Sequence, residues 1–452
     1  MLHGVVCDGQ GRKMSKSLGN VIDPLHVIQG RSLIELEEDL KVSGGTLMTE
    51  NELKKALKEL KTRLPNGIPT CGTDALRFSL MHNDPTSQQI NIDVQFVSSC
   101  AAFCNKIWQV ARFFLQSHER LQGGVSSENG ILEGPSDNSL GWLTLIKGKL
   151  KPEDQWILSR CGTTVSDVNG YFESRDFHLA ARSLRTFLYS NLCDVYVEAA
   201  KPVLSDVTNS QFQVKYEVLR ICLNTALKLL HPIMPFMTEE LYQRIRVLSS
   251  DLDPPDLLNE SIMTSEYPRS VDWDHLVSRQ IMDDMDIIQE IVTSIRNSKS
   301  LYDLKRAIKP NVCVISEVTT SKSLFYNNEL VKEYCDLISV LSPCGNVDIF
   351  QECHDCGSSK NYPPINTWSS TEIRYYNSTV YVDVSGHLNL EKELQKNSMQ
   401  QAKLLKDFES LKKRKEKKKE TVSNIEIEKY NLQIKRLSDK QTLLNQRLNE
   451  HK

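Results

Sequence analysis

Two lysines three positions apart near the start of the chain are the residues best suited to chemistry. Lys13 and Lys16 stand in a run with Met14, Ser15 and Ser17, and a glycine flanks that run on each side. Two ammonium groups at this spacing could hold a polyphosphate, while the hydroxyl groups donate hydrogen bonds to it. The run predicts a phosphate-binding loop; the alternative is a mobile basic loop at the surface.

The composition indicates an ordinary globular protein. Of the 452 residues, 40% are hydrophobic and 25% are charged, with a formal net charge of −3. This length suffices for two to four units that each bury a core. No apolar run approaches the roughly 18 residues of a membrane-spanning helix. The first residues lack the pattern of a secretion signal or a transit peptide. We therefore expect no membrane partner and a cytoplasmic location, with a mitochondrial location as the alternative.

The twelve cysteines are scattered, mostly within apolar helical patterns. That distribution predicts reduced thiols in a core rather than a disulfide framework. Cys353 and Cys356 form a CxxC pair, which is either half of a zinc site or a polar loop with two thiols. Because no second pair at ligand spacing is found, we predict no metal site.

Helical periodicity dominates the middle of the chain. Thr49 and Glu52 predict a capping box at the start of a helix in a surface insertion, and Thr73 or Asp74 could cap the next helix. Apolar residues then recur every three or four positions across residues 97–300, which predicts an all-α bundle with its core from residue 153. Alternating valines later in the chain predict strands.

The C-terminal residues carry two heptad seams that predict an antiparallel helical hairpin. Polar Asn397 and Gln401 fill a gap in the first seam, and Gln441 fills one in the second. A basic run stands near the predicted tip and comprises Lys412, Lys413, Arg414, Lys415, Lys417, Lys418 and Lys419. Such a run is either a solvated face or a contact surface for nucleic acid.

Several sequence blocks together resemble one family. Residues 11–24, GRKMSKSLGNVIDP, are similar to the KMSKS signature of class I aminoacyl-tRNA synthetases. Residues 67–78, 103–108, 191–198 and 231–241 resemble blocks of the valine-specific branch of that class. There are departures: Thr70 replaces the usual glutamate, and residues 86–93 lack a Gly-Arg-Asp element, which leaves a tRNA contact of that region in doubt.

The resemblance implies a mainly α fold with five parts. These are residues 1–36 as the end of a Rossmann-type class I catalytic domain with the KMSKS loop, 37–96 as a helical insertion and stem-contact connector, 97–300 as a helical-bundle anticodon-binding domain, 301–384 as a small α+β unit, and 385–452 as a coiled-coil tRNA-binding arm.

The family reaction activates valine with ATP, accompanied by Mg²⁺, and transfers it to tRNA-Val. The resemblance assigns ATP binding to the loop from Lys13 to Ser17, with Lys13 and Lys16 as catalytic residues and Lys16 in direct contact with ATP. The two lysines would stabilise negative charge on the α-phosphate and the leaving pyrophosphate. We expect a monomer whose partners are tRNA-Val, ATP and valine.

Only ten residues precede Gly11, and no HIGH-type motif is found before the loop. We therefore expect the first half of the catalytic fold, the valine pocket and the editing domain to be absent, and these residues alone to be inactive. One hypothesis is the C-terminal half of a ligase. Others are a non-catalytic tRNA-binding module and a chain whose coiled coil serves protein assembly. The intact loop favours the first.

Overall fold

The structure is a computed structural model of the 452-residue chain. It describes residues 4–15, 18–44, 48–124, 147–249, 260–305, 307–317, 328–352, 369–373, 378–384 and 390–417, together with 434–435, 437–438, 441–442 and 445. These residues are mostly helical. They divide into two compact units, Met1–Met285 and Asp286–Lys452.

The first unit opens with a short parallel strand pair. Strand β1 (Val5–Asp8) pairs with β2 (Gln89–Ile92), which lies 84 residues further along the chain, from Val5 opposite Gln89 to Asp8 opposite Ile92. Between them lie four helices: α1 (Pro24–Gln29), α2 (Leu33–Gly44), α3 (Glu50–Arg63) and α4 (Thr73–Met81).

The helices predicted for the bundle are present. They are α5 (Val94–Gly124), α6 (Pro152–Ser174), α7 (Phe177–Arg185), α8 (Val197–Leu204), α9 (Phe212–Leu230), α10 (Pro235–Ser249) and α11 (Arg279–Leu301), the last spanning the division between the units. A π-helical segment (Thr186–Tyr196) joins α7 to α8 without a break. Helix α9 is buried along nearly its whole length. Its apolar faces therefore make it the centre of the bundle.

The second unit contains a four-stranded sheet in the order β4-β3-β6-β5. Its strands are β3 (Val312–Glu317), β4 (Val347–Glu352), β5 (Ser369–Ile373) and β6 (Ser378–Val382). Strands β3 and β4 are parallel, as their connection through helix α12 (Asn328–Leu341) allows, and the other pairs are antiparallel. Valines of β3 and β6 are buried, which confirms the strands predicted from alternating valines.

Helix α13 (Leu390–Lys417) follows the sheet in sequence, and two of the seam polar residues meet a second helical stretch. The Asn397 side chain is buried and donates a hydrogen bond to the Leu437 carbonyl oxygen at 2.8 Å. Gln441 Nε2 donates to Ser398 Oγ at 3.2 Å. Two of the polar residues in the heptad seams therefore join the two stretches.

Some local predictions are confirmed and one is wrong. Thr49 and Glu52 form the predicted capping box at the start of α3. The predicted cap of α4 by Thr73 or Asp74 is wrong, because Gly72 is the N-cap residue and no side chain bonds there. Asp74 instead accepts hydrogen bonds from the start of α10, a partner far away in sequence.

Two further observations concern cysteines and membranes. Every cysteine that the structure describes is a free thiol, and most of these are buried, whereas Cys353 and Cys356 lie outside the described residues. Among the described helices, none has the length and apolarity needed to cross a membrane.

A charged cluster lies inside the bundle, where apolar packing was expected. Lys215 of α9 is 2% exposed and its ammonium group contacts the carboxylates of Glu153 and Asp154, the latter at 2.8 Å. The Tyr196 hydroxyl also donates to Asp154, at 2.8 Å. Because burying an unpaired charge is costly, each member of the cluster depends on the others.

We predict that Lys215→Ala destabilises the chain strongly. The substitution leaves Asp154 as a buried carboxylate without its cation, which costs about 3–5 kcal/mol in comparable cases. Chemical denaturation followed by circular dichroism measures the free energy of unfolding. Lys201→Ala is the matched control, since Lys201 pairs with Glu198 at the surface and should change stability by less than about 1 kcal/mol. A loss in the free energy of unfolding that is no larger in Lys215→Ala than in Lys201→Ala would show that the buried charged cluster adds no stability.

Candidate functional site

The predicted phosphate loop begins with a tight reversal of the chain. After β1, the Asp8 amide donates to the Arg12 carbonyl at 2.9 Å, and Cys7 and Lys13 form an antiparallel bridge. Gly11 has φ +76°, a left-handed conformation that glycine adopts without strain. The first arm of the loop is therefore held against the strand that precedes it.

Asp8 is the buried centre of this arrangement. Its carboxylate accepts hydrogen bonds from the amides of Gln10 and Arg12 at 3.1 and 3.0 Å. The Arg12 guanidinium donates through Nε at 3.1 Å and Nη2 at 2.9 Å, and Asn20 Nδ2 donates at 3.1 Å. Burial alone would raise the pKa of Asp8, but the hydrogen bonds from Arg12, Asn20 and Gln10 outweigh it and lower the pKa to about 2.

Asn20 joins the two ends of the loop. It is 2% exposed, and its Oδ1 accepts from the Ser15 amide at 2.9 Å while its Nδ2 donates to the Lys13 carbonyl at 3.2 Å as well as to Asp8. Gly19, with φ +64°, lies so close to Leu40 that a Cβ atom would stand 2.9 Å from its Cδ1. The base of the loop is therefore fixed on both sides.

The structure describes three of the five predicted loop residues. Lys13 is exposed, and Met14 and Ser15 are half-buried. The Leu18 amide donates to the carbonyl and hydroxyl oxygens of Ser15, both at 3.2 Å. Lys16 and Ser17 lie outside the described residues.

The predicted tRNA-binding residues lie within the second unit. The backbone of residues 412–417 forms the last turns of α13, whereas Lys418 and Lys419 lie outside the described residues. The first heptad seam predicted a helix up to Leu411, and the structure extends that helix to Lys417. The binding of tRNA by these basic residues remains a prediction.

Helix α3 contacts the base of the loop. Arg12 Nη1 donates to Glu59 at 2.7 Å, and Arg63 Nη1 lies 3.5 Å from the Asp8 carboxylate. Both Glu59 and Arg63 belong to α3. Helix α3 therefore contributes charged groups to the hydrogen-bond network around Asp8.

Helix α1 connects the loop to α4. Its N-cap Asp23 accepts a hydrogen bond from the Leu25 amide at 2.8 Å. At its other end, the carbonyls of Val27 and Ile28 accept from the amides of Cys71 and Gly72 at 3.0 and 3.1 Å. The residues just before α4 are thus bonded to the helix that follows the loop.

Helix α4 is in turn bonded to the turn between α9 and α10. The Asp74 carboxylate accepts from the amides of Phe236 at 3.4 Å and Met237 at 2.6 Å. Arg77 Nε donates to the Ile233 carbonyl at 2.9 Å, and its Nη2 donates to Pro232 at 3.2 Å. We call these four bonds the α4 clamp. The two bonds to Asp74 cap the N-terminus of α10 from outside its own segment, where the positive end of the helix favours a carboxylate.

The sequence alone did not identify Asp8, Asn20, Asp74 or Arg77 as functional residues. Asp8 offered one signal, since an acidic residue directly after a buried strand needs hydrogen-bond donors. The other three stand inside the blocks that carried the resemblance, but their partners could not be read from spacing.

Two family models match the chain. The model described as "tRNA synthetases class I (I, L, M and V)" matches residues 1–93, and "Anticodon-binding domain of tRNA ligase" matches residues 154–315. Over these residues the chain is therefore similar to the class I aminoacyl-tRNA synthetases.

Within that class, the similar proteins are valine–tRNA ligases. The one from Caenorhabditis elegans is 34% identical over 400 residues, covering 88% of this chain and 35% of the relative. The mitochondrial enzyme of Sus scrofa is 32% identical over 411 residues, covering 91% and 35%. A probable mitochondrial enzyme of Dictyostelium discoideum is 37% identical over 279 residues, covering 59% and 26%. This chain thus spans about a third of the length of these relatives.

One solved structure is a ternary complex of LeuRS with tRNA and LeuAMS from Agrobacterium radiobacter K84. It aligns with a TM-score of 0.33 at 16% identity and covers 73% of this chain and 29% of that chain. An alignment with a TM-score this low does not establish a shared fold.

We predict that Asp8→Asn destabilises the chain by about 1–3 kcal/mol at pH 7, because the amide carries no negative charge for Arg12 and replaces one of the two acceptor oxygens with a donor. The folded-state pKa of about 2 lies below the ordinary value of 3.8, so ionised Asp8 stabilises the fold above pH 4 and loses this effect as the pH falls towards 2. The gap between wild type and variant should therefore shrink over that range.

Thermal unfolding from pH 7 to pH 2.5 measures this gap. Glu59→Gln serves as the control, because Glu59 contacts the same arginine from a half-exposed position and should cost less than about 1 kcal/mol. A gap that stays constant with pH would contradict the assigned role of the Asp8 carboxylate.

Proposed function

We propose that this chain acts as the C-terminal part of a valine–tRNA ligase, which activates valine with ATP and transfers it to tRNA-Val. The observation that carries the proposal is the KMSKS-type loop, whose two ends are joined by buried Asn20 and Asp8 and whose Lys13 is exposed. A non-catalytic tRNA-binding module is the weaker alternative, since RNA binding alone needs no such loop.

The loop would act on the phosphates of ATP. Lys13 and Lys16 supply positive charge to the α-phosphate and the leaving pyrophosphate, and Ser15 and Ser17 add hydrogen bonds. Mg²⁺ would arrive with the ATP phosphates, as it does for many nucleotide substrates. Asp8 and Asn20 would hold the base of the loop in place while Lys13 acts on the phosphates.

The remaining parts would bind tRNA. We assign anticodon recognition to the bundle within residues 97–300, and stem contacts to residues 37–96. We assign backbone contacts to an antiparallel coiled-coil arm within residues 385–452. The bonds of Asn397 to Leu437 and of Gln441 to Ser398 support such a hairpin, since its two helices must lie side by side. The basic run would then contact phosphates from the end of α13 onward.

We further propose a cytoplasmic monomer. The Caenorhabditis elegans relative, which matches most of this chain, carries no organelle in its name, whereas other relatives are named mitochondrial. A single chain supplies the loop, the bundle and the arm, so the proposed contacts need no second copy.

We predict that the 452-residue chain binds tRNA-Val in preference to other tRNAs, and that the affinity falls steeply with salt concentration. Gel shifts from 50 to 200 mM salt measure both. Changing the seven basic residues from Lys412 to Lys419 to glutamine should weaken binding and reduce the salt slope by about 0.7–0.9 for each phosphate that the variant no longer neutralises.

Gln substitutions at three exposed lysines of the small α+β unit, namely Lys305, Lys309 and Lys332, are the control for general loss of charge, because no tRNA contact is assigned to that unit. Binding without preference for tRNA-Val would contradict the proposed specificity. Unchanged binding by the arm variant would instead assign the arm to assembly or solvation.

We also predict catalytic effects of the loop lysines in a chimera that places the preceding residues of the Caenorhabditis elegans relative before this chain. Lys13→Gln and Lys16→Gln should each lower valine-dependent ATP–pyrophosphate exchange by about 100- to 1000-fold, because each removes fixed charge from the transition state.

The arm variant is the matched control here, since exchange needs no tRNA contact and should continue at the parent rate. A Lys16→Gln chimera with full exchange activity would contradict the assignment of Lys16 to ATP.

A further inference from the structure

A basic cluster lies where the end of α4 meets α7. It comprises His82, His178, Arg182 and Arg185. His82 directly follows α4, whereas the other three stand at i, i+4 and i+7 in α7 and therefore share one helix face. Two elements distant in sequence thus bring four basic side chains together.

Aromatic rings of α5 support this cluster. The ring of Phe96 lies 5.2 Å from that of His82 and 6.0 Å from the Arg185 guanidinium. Arg185 also stands over Phe103 at 5.6 Å. Cation–π attraction holds Arg185 on these rings. The cluster is therefore a packed arrangement and not a set of independent surface side chains.

The charge of the cluster is largely uncompensated. Within the described part of the chain, neither Arg182 nor Arg185 forms an ion pair. Asp84 is the acidic residue that feels His178 and Arg182, but its carboxylate already accepts from the amide and hydroxyl of Thr86 at 2.8 and 2.6 Å. Burial and the nearby positive groups lower the pKa of His82 to about 4.

The end of a helix does not account for these basic residues. Helix α7 continues directly into the π-helical segment, so Arg182 and Arg185 do not stand at a free C-terminus that would favour cations. Three buried nitrogens have no hydrogen-bond partner among the described residues, namely Nδ1 of His82, Nδ1 of His178 and Nη1 of Arg185. On the shared face of α7, His178, Arg182 and Arg185 would repel each other when all three are charged, unless an anion lies between them.

We propose that the basic cluster binds a phosphate group of an RNA backbone. This inference rests on the proposed function, because tRNA is the partner that brings such a phosphate. Free nucleotides offer the same chemistry, but an exposed arginine such as Arg182, with neighbours on two helices, suits a strand that passes over the surface. The cluster is separate from the basic run of the arm and from the KMSKS loop.

The test measures tRNA-Val binding by Arg182→Gln and His178→Gln, alone and combined, over a salt series. Removing the Arg182 guanidinium should weaken binding about threefold to tenfold at 50 mM salt and reduce the salt slope by about 0.9. The effect should be the same for an unrelated tRNA, because phosphate contacts are independent of sequence. Arg269→Gln is the matched control, since Arg269 is an exposed arginine of the same unit that pairs with Asp272.

Arg185→Lys provides a second variant that keeps the charge where it packs on the rings. It should retain the salt slope, and thermal unfolding confirms that each variant is folded. Inorganic phosphate and ATP, each at millimolar concentration, are added as competitors to separate small anions from RNA.

If Arg182→Gln bound tRNA-Val with the affinity and salt slope of wild type, the inference would be overturned. The same holds if ATP, and not RNA, proved to be the ligand, so that ATP alone abolished the difference in affinity between Arg182→Gln and wild type. Wild-type binding that shows no preference for tRNA-Val, with the Arg182→Gln effect retained, would contradict the proposed function and support the cluster. Absence of binding to any RNA would overturn both.

Discussion

The buried carboxylate of Asp8 is the interaction on which the candidate site depends. A buried charge is tolerated only when donors surround it, and Asp8 receives them from the turn, from Asn20 and from two arginines. Each donor belongs to a different part of the site: Arg12 to the first arm, Asn20 to the return of the loop, and Arg63 to α3. One side chain therefore sets the positions of all three.

The α4 clamp extends this order into the bundle. Asp74 and Arg77 bond to backbone groups on both sides of the turn that precedes α10, so rotation of α4 against that turn would leave amides and carbonyls without partners. Residues 67–78 supply the side chains of the clamp, and residues 231–241 supply its backbone groups. The helix that follows the loop and the central helices of the bundle are thus held in one arrangement.

Sequence reasoning succeeded where the partners are close in the chain. Thr49 and Glu52 of the capping box lie three positions apart, and the helices of the bundle repeat their apolar residues every three or four positions. Both features could therefore be predicted from local spacing. It failed where the partner is distant. Asp74 looked like a cap of its own helix because a local cap is the usual use of such a residue, yet its partners are about 160 residues away. Separation in sequence also hid the pairing of β1 with β2 and the carboxylates that surround Lys215.

Helix α4 also relates the loop to the proposed phosphate contact. Its nine residues span about 13 Å at 1.5 Å per residue, which is short enough to move as a rigid body. The helix begins directly after the segment bonded to α1, and its residues Asp74 and Arg77 form the α4 clamp. His82 of the basic cluster follows its last turn. A phosphate that drew His82 and Arg182 together would therefore act on the same helix that fixes the segment behind the loop. Because Asp74 and Arg77 already hold that helix against the bundle, such a contact would reinforce an existing arrangement and would not need to create one.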